Sequence, residues 1–495
     1  MKKVIIFIFT AVAFSAYANE TSRSQIWFRT PFQSSSPERI AGFRFPTLLE
    51  FMPSCHGAYF QVVPFGGQST NRKSLARYFL PFDKSCLSVV EGTEFNATTQ
   101  QATFIARDLD PAEFNVVTAN NAFKSNLTFR PQQTFVGAGF DYLQILSWDC
   151  NDVARWWAEL SFAVERVENK FAFCEAITDA SCGSIGTGYY SSMTAAFDQP
   201  DWNYGKIVNC KLKKTGVADI ELKVGYNLID CESISMQAYF GGIFPGGNKP
   251  NARYLFGPVV GNNQHFGILF GSDNFLTICA DACWDLNYAI NMTGRYLFRN
   301  NQLRMFDLKD KSWSRYMKIY ASSADAVQAA SGTGDLQKAG INYFTLPSRV
   351  NPGFEGTMTN ALVGNYCSFS AEVGYNIYSH QSESVKPCGT VNGIALADIT
   401  GDGTTNPART INHQNILFGN AVTAANYIGL TNDDLNLDSA SSPATLSHTI
   451  YANIGYQADW CCFPLSFDVG GSYEFSHENS ILNKYMVWGK IVTSF

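Results

Sequence analysis

After its first eighteen residues the chain contains no run of 18 consecutive apolar residues, so the sequence offers no helix long enough to cross a bilayer. Charged residues make up only 16% of the chain, compared with roughly 25% in typical soluble domains. Linkers, low-complexity tracts and shifts of composition are also missing, which argues against several soluble domains. The acidic balance, 42 Asp and Glu against 36 Lys and Arg, argues against nucleic acid as a partner.

Recognisable catalytic motifs are missing as well. The sequence contains no His-Glu-x-x-His zinc motif, no Gly-Lys-Ser/Thr phosphate loop and no Gly-x-Ser-x-Gly nucleophile elbow, and its six histidines are scattered. The segment from Asp398 to Gly403 begins like a calcium loop, but Arg409 stands where a bidentate carboxylate is needed, so we interpret it as a polar turn. We therefore predict that the protein is not an enzyme and has no cofactor or metal.

What the chain does contain begins with an export signal. Lys2 and Lys3 give a positive start, and an apolar run from Val4 to Phe14 leads to a small-x-small sequence that ends at Ala18. We predict a signal peptide over residues 1–18, because this apolar run is too short to span about 30 Å of hydrocarbon. Export brings the chain's 13 cysteines into an oxidising compartment, where many should form disulfides, and the odd number leaves at least one free or bonded to another chain.

The strongest signal is an alternation of apolar and polar residues with a period of two, which marks strands with one apolar face. Over 218–228 the even positions are apolar, and over 463–475 the odd positions are apolar. Comparable alternation covers 156–165, 234–240, 288–298, 367–377 and 450–459. Several of these runs last 10–13 residues. Soluble strands mostly have about 5–6 residues and membrane strands about 9–11, so the lengths favour a membrane barrel over a soluble β-sandwich.

Charged residues occupy the polar faces of these predicted strands. Charges at membrane depth must face water or each other, so in a barrel they would line the lumen. We predict that they set the local field of a diffusion pore with a mild preference for cations, the alternative being a plugged lumen in which they pair structurally. The predicted lining residues are Arg155, Glu159, Glu165, Asp219, Glu221, Lys223, Arg295, Asp468 and Glu474.

The last residues form one further alternating strand, in which Tyr485, Val487, Ile491 and Phe495 share a face. This end resembles the C-terminal signature of bacterial outer-membrane proteins, a final amphipathic strand that closes on a terminal Phe. The resemblance implies recognition by the barrel-assembly machinery through Phe495, Ile491 and Tyr485. A barrel in lipid must also leave no edge unpaired, which makes this strand part of the wall.

These features predict an all-β fold, a single transmembrane antiparallel β-barrel of roughly 14–18 strands over residues 19–495, in the outer membrane. We expect short periplasmic turns and long external loops, with 379–447 as a long external loop. The region 19–130 is less regular, and within it residues 19–60 are predicted to form either an N-terminal plug or the first strands. The expected partners are the lipid bilayer with its outer-membrane lipids and the barrel-assembly machinery, and a homo-oligomer is left open.

The length, signal peptide, terminal Phe and many cysteines together resemble the cysteine-rich major outer-membrane porins of chlamydiae and related intracellular bacteria. The resemblance is one of organisation, so no functional residue is carried over. It implies a porin-like channel for passive diffusion of small hydrophilic solutes and, by analogy, an inter-chain disulfide at Cys461 and Cys462 in a predicted periplasmic turn. The alternatives are a plugged barrel for hydrophobic compounds, resembling the long-chain fatty acid transporters, and a structural or adhesive barrel with no open pore.

Overall fold

A computed structural model describes residues 22–42, 57–91, 94–96, 101–103, 107–116, 122–148, 154–179, 188–231, 233–281, 283–330, 336–391, 394–397, 411–412, 427–460, 463–478 and 482–495. The predicted signal peptide and the pair Cys461-Cys462 lie outside these residues. Within the described residues, no helix has the length and hydropathy of a membrane span.

Twelve antiparallel strands close into a barrel. Each strand pairs with its neighbour in the chain, and the ring is completed where the last strand pairs with the first, as in Tyr59 opposite Ser494. The strands are β1 Ala58–Ser69, β2 Gln132–Trp148, β3 Ala154–Lys170, β4 Ile220–Cys231, β5 Ile234–Phe244, β6 Gly267–Asp281, β7 Trp284–Leu297, β8 Gly353–Tyr366, β9 Phe369–His380, β10 Thr445–Trp460, β11 Phe463–Glu478 and β12 Lys484–Ser494. The closed ring leaves no edge strand, which is the condition for a sheet to span lipid.

The outer face of the barrel is apolar and exposed, whereas its inner face is polar and buried. On β4, Leu222 and Val224 are each 45% exposed, while Glu221 and Lys223 are 3% and 5% exposed. A soluble β-sandwich packs the apolar faces of its two sheets against each other in the core. The inverted polarity requires an apolar solvent around the barrel, which the hydrocarbon of a bilayer provides. This arrangement confirms the predicted transmembrane barrel.

The connections at the two ends of the barrel differ in length. At the end that carries the C-terminus, strands are joined by two to five residues, as at 282–283 and 367–368. At the opposite end, connections such as 298–352 and 381–444 are long. Short turns face the periplasm in outer-membrane barrels, so we refer to the periplasmic end and the outer end. The predicted organisation of short turns and long external loops is therefore confirmed.

The predicted count of 14–18 strands was wrong, because the ring contains twelve. Alternation marks any half-buried strand, whether or not it belongs to the wall. Lys211–Val217, for example, pairs with the outer part of β3 but leaves the ring, where β4 takes its place beside β3. Other strand-like segments build small sheets above the barrel.

The long connections fold together into what we call the outer cap, formed by the described residues of 70–131, 171–219, 245–266, 298–352 and 381–444. Its strands pair in small groups, the larger ones being Cys86–Val90, Lys124–Phe129 and Phe173–Asp179 in one sheet and Asn300–Met305, Thr345–Asn351 and Ser384–Pro387 in another. The two-stranded pairs are Glu94–Asn96 with Gln101–Thr103, Asp307–Leu308 with Leu435–Asn436, Lys318–Ile319 with Lys338–Ala339, and Ile394–Ala397 with Tyr427–Leu430. Its α-helices are Arg72–Phe79, Met193–Ala196, Ser323–Ala330 and Gly340–Tyr343, and its 3₁₀ turns are Pro81–Asp83, Pro111–Phe114, Ser314–Tyr316, Asn432–Asp434 and Leu437–Ala440.

The outer cap has a hydrophobic core of its own, outside the membrane. Phe79, Phe114, Phe129 and Phe197 are fully buried there, and Trp313 packs edge-on against Phe197 with ring centroids 6.4 Å apart. Aromatic side chains bury large areas and pack preferentially edge to face, so this core stabilises the cap as a packed unit. The outer mouth of the barrel is consequently covered by folded protein.

Residues 22–42, which we call the plug, run from the cap into the lumen. The plug begins at Ser22, whose hydroxyl donates to Asp307 of the cap over 3.0 Å. At the last residue of this described range, the Gly42 amide donates to the Glu372 carboxylate on β9 over 2.8 Å. Gly42 has a φ of +83° and lies so close to Asp468 that a Cβ atom would overlap the carboxylate, so this close approach requires glycine. The plug contains one short helix, Pro37–Ile40.

Candidate functional site

Arg39 of the plug is the centre of a buried ion-pair network in the lumen. Its guanidinium bonds Asp141 on β2 at 3.0 Å and Glu221 on β4 at 2.8 Å, and it also pairs with Glu159 on β3. The Arg39 side chain is 2% exposed. Arginine presents five N–H donors in a rigid fork, which lets one side chain bridge three carboxylates. Arg39 therefore fastens the plug to three adjacent wall strands at once.

Wall residues extend this network around the lumen. Lys223 bonds Glu159 at 2.7 Å, and Arg295 on β7 bonds Glu221 at 2.7 Å and Glu355 on β8 at 3.2 Å. All of these side chains are less than a tenth exposed. With Arg39 and Asp141 included, three bases face four acids. Removing Arg39 would leave Asp141, and removing Arg295 would leave Glu355, as a buried carboxylate without its charged partner, which is strongly unfavourable.

Polar contacts hold the rest of the plug against the wall. The Ser34 hydroxyl donates to Glu221 over 2.6 Å, and the Arg29 guanidinium donates to Asn376 on β9 over 2.7 Å. Nearer the cap, the indole N–H of Trp27 donates to the Tyr378 hydroxyl over 3.2 Å. The plug therefore contacts opposite sides of the barrel along its length.

The structure places the predicted lining residues other than Asp219 on the inner side of the barrel, and it brings four of them together. Glu159, Glu221, Lys223 and Arg295 belong to the Arg39 network. Four others are elsewhere on the inner side: Arg155 is half-buried at the periplasmic end, Glu165 accepts a backbone N–H bond from Gly261, Asp468 accepts from Asn453, and Glu474 pairs with Lys484. Asp219 lies in the cap just before β4, where it accepts a backbone N–H bond from Asn262.

Sequence reasoning missed Arg39, Asp141 and Glu355. Asp141 was missed because glycine and alanine at 137–139 weaken the alternation of β2. Gly139 faces the ring of Phe32 so closely that a Cβ atom would overlap it, so the small residue makes room for the plug. Glu355 alternates in β8 and could have been found by extending the search to that segment. Arg39 has no local signal at all, because its partners lie more than a hundred residues away.

Beneath Arg39, towards the periplasmic end, the lumen contains a polar cavity of about 80 Å³. Its lining includes Tyr59, Gln61, Gln237 and Asp273 from the wall. About 10–15 Å³ of such space holds one water molecule, so the cavity has room for several waters but not for a sugar or an amino acid. The plug and the inward-facing side chains of the wall, most of them buried, fill most of the described part of the lumen. No group of three or more histidine, cysteine or carboxylate side chains in the described ranges is placed to hold a metal ion.

The chain is a transmembrane β-barrel of the outer-membrane type. No protein-family model matches it, and no curated protein matches it in sequence. Among solved structures it is similar to an outer membrane channel from Pseudomonas putida F1, with 10% identity over 90% of this chain and 98% of that one and a TM-score of 0.35. It is also similar to the transport unit of the autotransporter AIDA-I from Escherichia coli (6% identity, 89% and 90% covered, TM-score 0.30) and to a Pseudomonas aeruginosa FadL homologue (8% identity, 91% and 94% covered, TM-score 0.26). The assignment rests on the closed ring and its apolar outer face.

The terminal strand of this barrel has the predicted amphipathic form. Tyr485, Ile491 and Phe495 are 43%, 49% and 48% exposed on the outer face. Trp488 and Lys490 between them are buried in the lumen. Recognition of these outward residues by the barrel-assembly machinery stays a prediction.

The described cysteines divide between the two ends of the barrel. Cys231, Cys279, Cys283 and Cys367 lie at the periplasmic end, and Cys86, Cys174, Cys210 and Cys388 lie in the outer cap. All of them are exposed except Cys279, which is half-buried. Exposed thiols at both ends can be reached by oxidants and by alkylating reagents.

Cys283 and Cys367 are expected to form a disulfide in the exported protein. They oppose each other one step beyond the Trp284–Tyr366 pair of β7 and β8, and the Cys367 amide donates to the Cys283 carbonyl over 2.9 Å. Hydrogen-bonded antiparallel pairs have Cα atoms about 5.5 Å apart, within the range of about 4.4–6.8 Å for disulfides. Peptide mapping of outer membranes isolated without reductant should find the two peptides linked, and reduction should lower the unfolding free energy by roughly 2–4 kcal/mol. Full alkylation of both thiols before reduction would contradict this expectation.

His265 lies in the outer cap just before β6 and is fully buried beside Trp27 of the plug, with ring centroids 6.1 Å apart. In the tautomer that satisfies both contacts, Nδ1–H donates to the Phe298 carbonyl (2.7 Å) and Nε2 accepts from the Gln302 amide (2.9 Å). The Gln302 amide cannot turn over, because its oxygen already accepts from Arg304 over 2.9 Å. Burial therefore lowers the pKa of His265 to about 4.

Acidification is expected to loosen the contact between cap and plug. The unfolded chain binds a proton at His265 near pH 6.5 and the folded chain only near pH 4, so protonation favours unfolding. The stabilisation is complete above about pH 6.5 and is lost as the pH falls towards 4, at most about 3 kcal/mol. Thermal unfolding between about pH 7 and 4 should show this loss in the wild type and a flatter profile in His265→Gln. The control His477→Gln changes an exposed histidine and should keep the pH dependence of the wild type. If the profile of His265→Gln is as steep as that of His477→Gln, His265 is not the group responsible.

Proposed function

We propose that this protein is a gated outer-membrane channel for small hydrophilic solutes, held closed by its N-terminal plug. The observation that carries the proposal is the Arg39 network, which fastens the plug inside the lumen through side chains and not through the barrel's hydrogen-bond ladder. A segment held this way can leave the lumen without opening the ring. The proposal keeps the porin-like function that the sequence predicts and adds a gate to it.

A series of cavities beside the plug supports a route through the barrel. The outermost cavity shares the lining residues Phe28 and Val259 with a second cavity. The second cavity shares Arg29 and Lys484 with a third cavity, which lies deeper in the barrel. The polar cavity beneath Arg39 follows towards the periplasmic end. A displacement of the plug would join these spaces into one passage.

Buried carboxylates and amides along this route favour hydrophilic solutes over purely hydrophobic ones, although apolar side chains such as Phe28 and Phe135 also line it. The second cavity is lined by Gln133, Glu165 and Asn262, and the third by Glu38 and Glu474, among others. An apolar molecule that moved along these groups would deprive them of water without replacing its hydrogen bonds. A transporter for hydrophobic compounds should instead present an apolar path through the lumen.

The test is planar-bilayer conductance of the refolded mature chain beside a variant that lacks residues 22–42. Brief and rare steps are expected from the wild type, and stable, large steps from the deletion variant. Circular dichroism and protection of the barrel from protease show whether each protein is folded. A folded deletion variant that does not conduct would overturn the channel proposal and leave a structural or adhesive barrel.

A further inference from the structure

The outer end of the plug forms one wall of the outermost of the cavities described above, which lies in the outer cap and has a volume of about 230 Å³. Its lining combines Ile26 and Phe28 of the plug with Leu255, Phe256 and Met305 of the cap. Phe28 and Phe256 pack with ring centroids 6.1 Å apart, so part of the floor is aromatic. The volume is slightly below the roughly 300–1,000 Å³ of sites for drug-sized ligands, which indicates a smaller molecule.

The rim of this cavity is positively charged, although the protein as a whole is acidic. Lys213, Lys214 and Lys249 line it, and no Asp or Glu does. Lys213 lies 3.8 Å from Glu168, whereas the described part of the chain offers Lys214 and Lys249 no comparable carboxylate. Two lysines beside an apolar floor attract an anion that carries an apolar body.

We propose that this cavity binds small aromatic carboxylates, with the ring on the floor formed by Phe28 and Phe256 and the carboxylate at Lys214 and Lys249. An aromatic ring gains offset or edge-to-face contacts with the two phenylalanines. A carboxylate placed between two lysines gains charge-assisted hydrogen bonds. Neither group of contacts alone selects this class of ligand. The uncharged aromatic floor would accept any small aromatic molecule, and the two lysines of the rim would accept any small anion.

The position of the cavity connects such a ligand to the gate, and this part of the inference rests on the proposed function. Ile26 and Phe28 touch the ligand space, and Arg29, the next residue, bonds Asn376 in the lumen. A ligand that binds more tightly when Phe28 shifts will favour the displaced position of the plug over its position in the closed channel, since a ligand stabilises the state to which it binds more tightly. Aromatic carboxylates would then increase channel opening.

The site is tested by calorimetric titration of the refolded full-length mature protein in detergent with benzoate. Saturable binding is expected, at least tenfold weaker with the neutral isostere benzamide and with the double variant Lys214→Ala/Lys249→Ala. The matched control is Lys211→Ala, which removes an exposed lysine of the same strand outside the cavity. Both lysines of the double variant are exposed, so the variant should fold as the wild type does.

The outcomes separate the site from the channel. Unchanged benzoate affinity in the double variant, or no saturable binding to the wild type, would overturn the site whether or not the protein conducts. Benzamide that binds as tightly as benzoate would overturn the role of the lysines. Benzoate binding by a protein whose deletion variant does not conduct would keep the site and overturn only its link to gating.

Discussion

Replacing Arg39 with glutamine is expected to release the plug and raise the open probability of the channel at least a hundredfold. The substitution leaves Asp141, Glu159 and Glu221 without the guanidinium that they share. Removing one partner from a buried ion-pair network costs about 3–5 kcal/mol, and each 1.4 kcal/mol is a factor of ten in an equilibrium constant. The plug is not part of the barrel's ladder, so we expect this cost to displace the plug and leave the ring closed. Single-channel recording measures the change directly.

Two variants sharpen this experiment. Arg39→Lys keeps the charge but loses the planar fork, so it should bond one or two of the three carboxylates and give an intermediate open probability. Arg72→Gln changes an exposed arginine on a cap helix and should behave as the wild type. A folded R39Q protein that stays closed would show that Arg39 does not hold the gate.

The second prediction with a large effect concerns the ion selectivity of the variant that lacks residues 22–42. Among the side chains that the structure describes, the ring strands carry eight buried carboxylates, Asp141, Glu159, Glu165, Glu221, Glu355, Glu372, Asp468 and Glu474, against three buried bases, Lys223, Arg295 and Lys490. Without residues 22–42 these groups face water, and acids that line a pore favour cations. The deletion variant should therefore show a several-fold preference for K⁺ over Cl⁻, read from the reversal potential in a KCl gradient. The preference should weaken at about 1 M salt, where the Debye length falls to ~3 Å.

Neutralising wall acids in the deletion variant tests the source of this preference. Glu159→Gln together with Glu221→Gln removes two of the eight carboxylates and should lower the cation preference markedly. Asp198→Asn changes an acid on the cap that is far more exposed, and it should leave the preference unchanged. Anion preference in the folded deletion variant would contradict the assignment of the lining.

The strands of the wall could be predicted from sequence because the local pattern of apolar and polar residues in each strand reflects the lipid on one side and the lumen on the other. In β4 and β11, residues that face lipid alternate with residues that face the lumen, so the side of every residue follows from its position. The same local rule overestimated the strand count, because strands of the cap such as Lys124–Phe129 also bury one face. Alternation does not say which strand is the next one around the ring.

The contacts of the plug could not be predicted, because they join distant parts of the chain. Nothing within the serine-rich stretch around Arg39 distinguishes it from a solvated surface loop. Its environment is created by β2, β3 and β4, which bring three carboxylates to one point when these strands pair with one another. The glycines of β2 interrupt the alternation of apolar and polar residues at the point where the plug packs closely against the strand.

The route of the plug also sets the order in which the molecule can assemble. Residues 22–42 are made before β1, yet their partners include Asn376 on β9 and extend to Lys490 on β12. Pairings between residues so distant in sequence form late, since the intervening chain must be ordered first. Residues 22–42 therefore reach their final place after most of the wall, so that a segment made before β1 is among the last to fold.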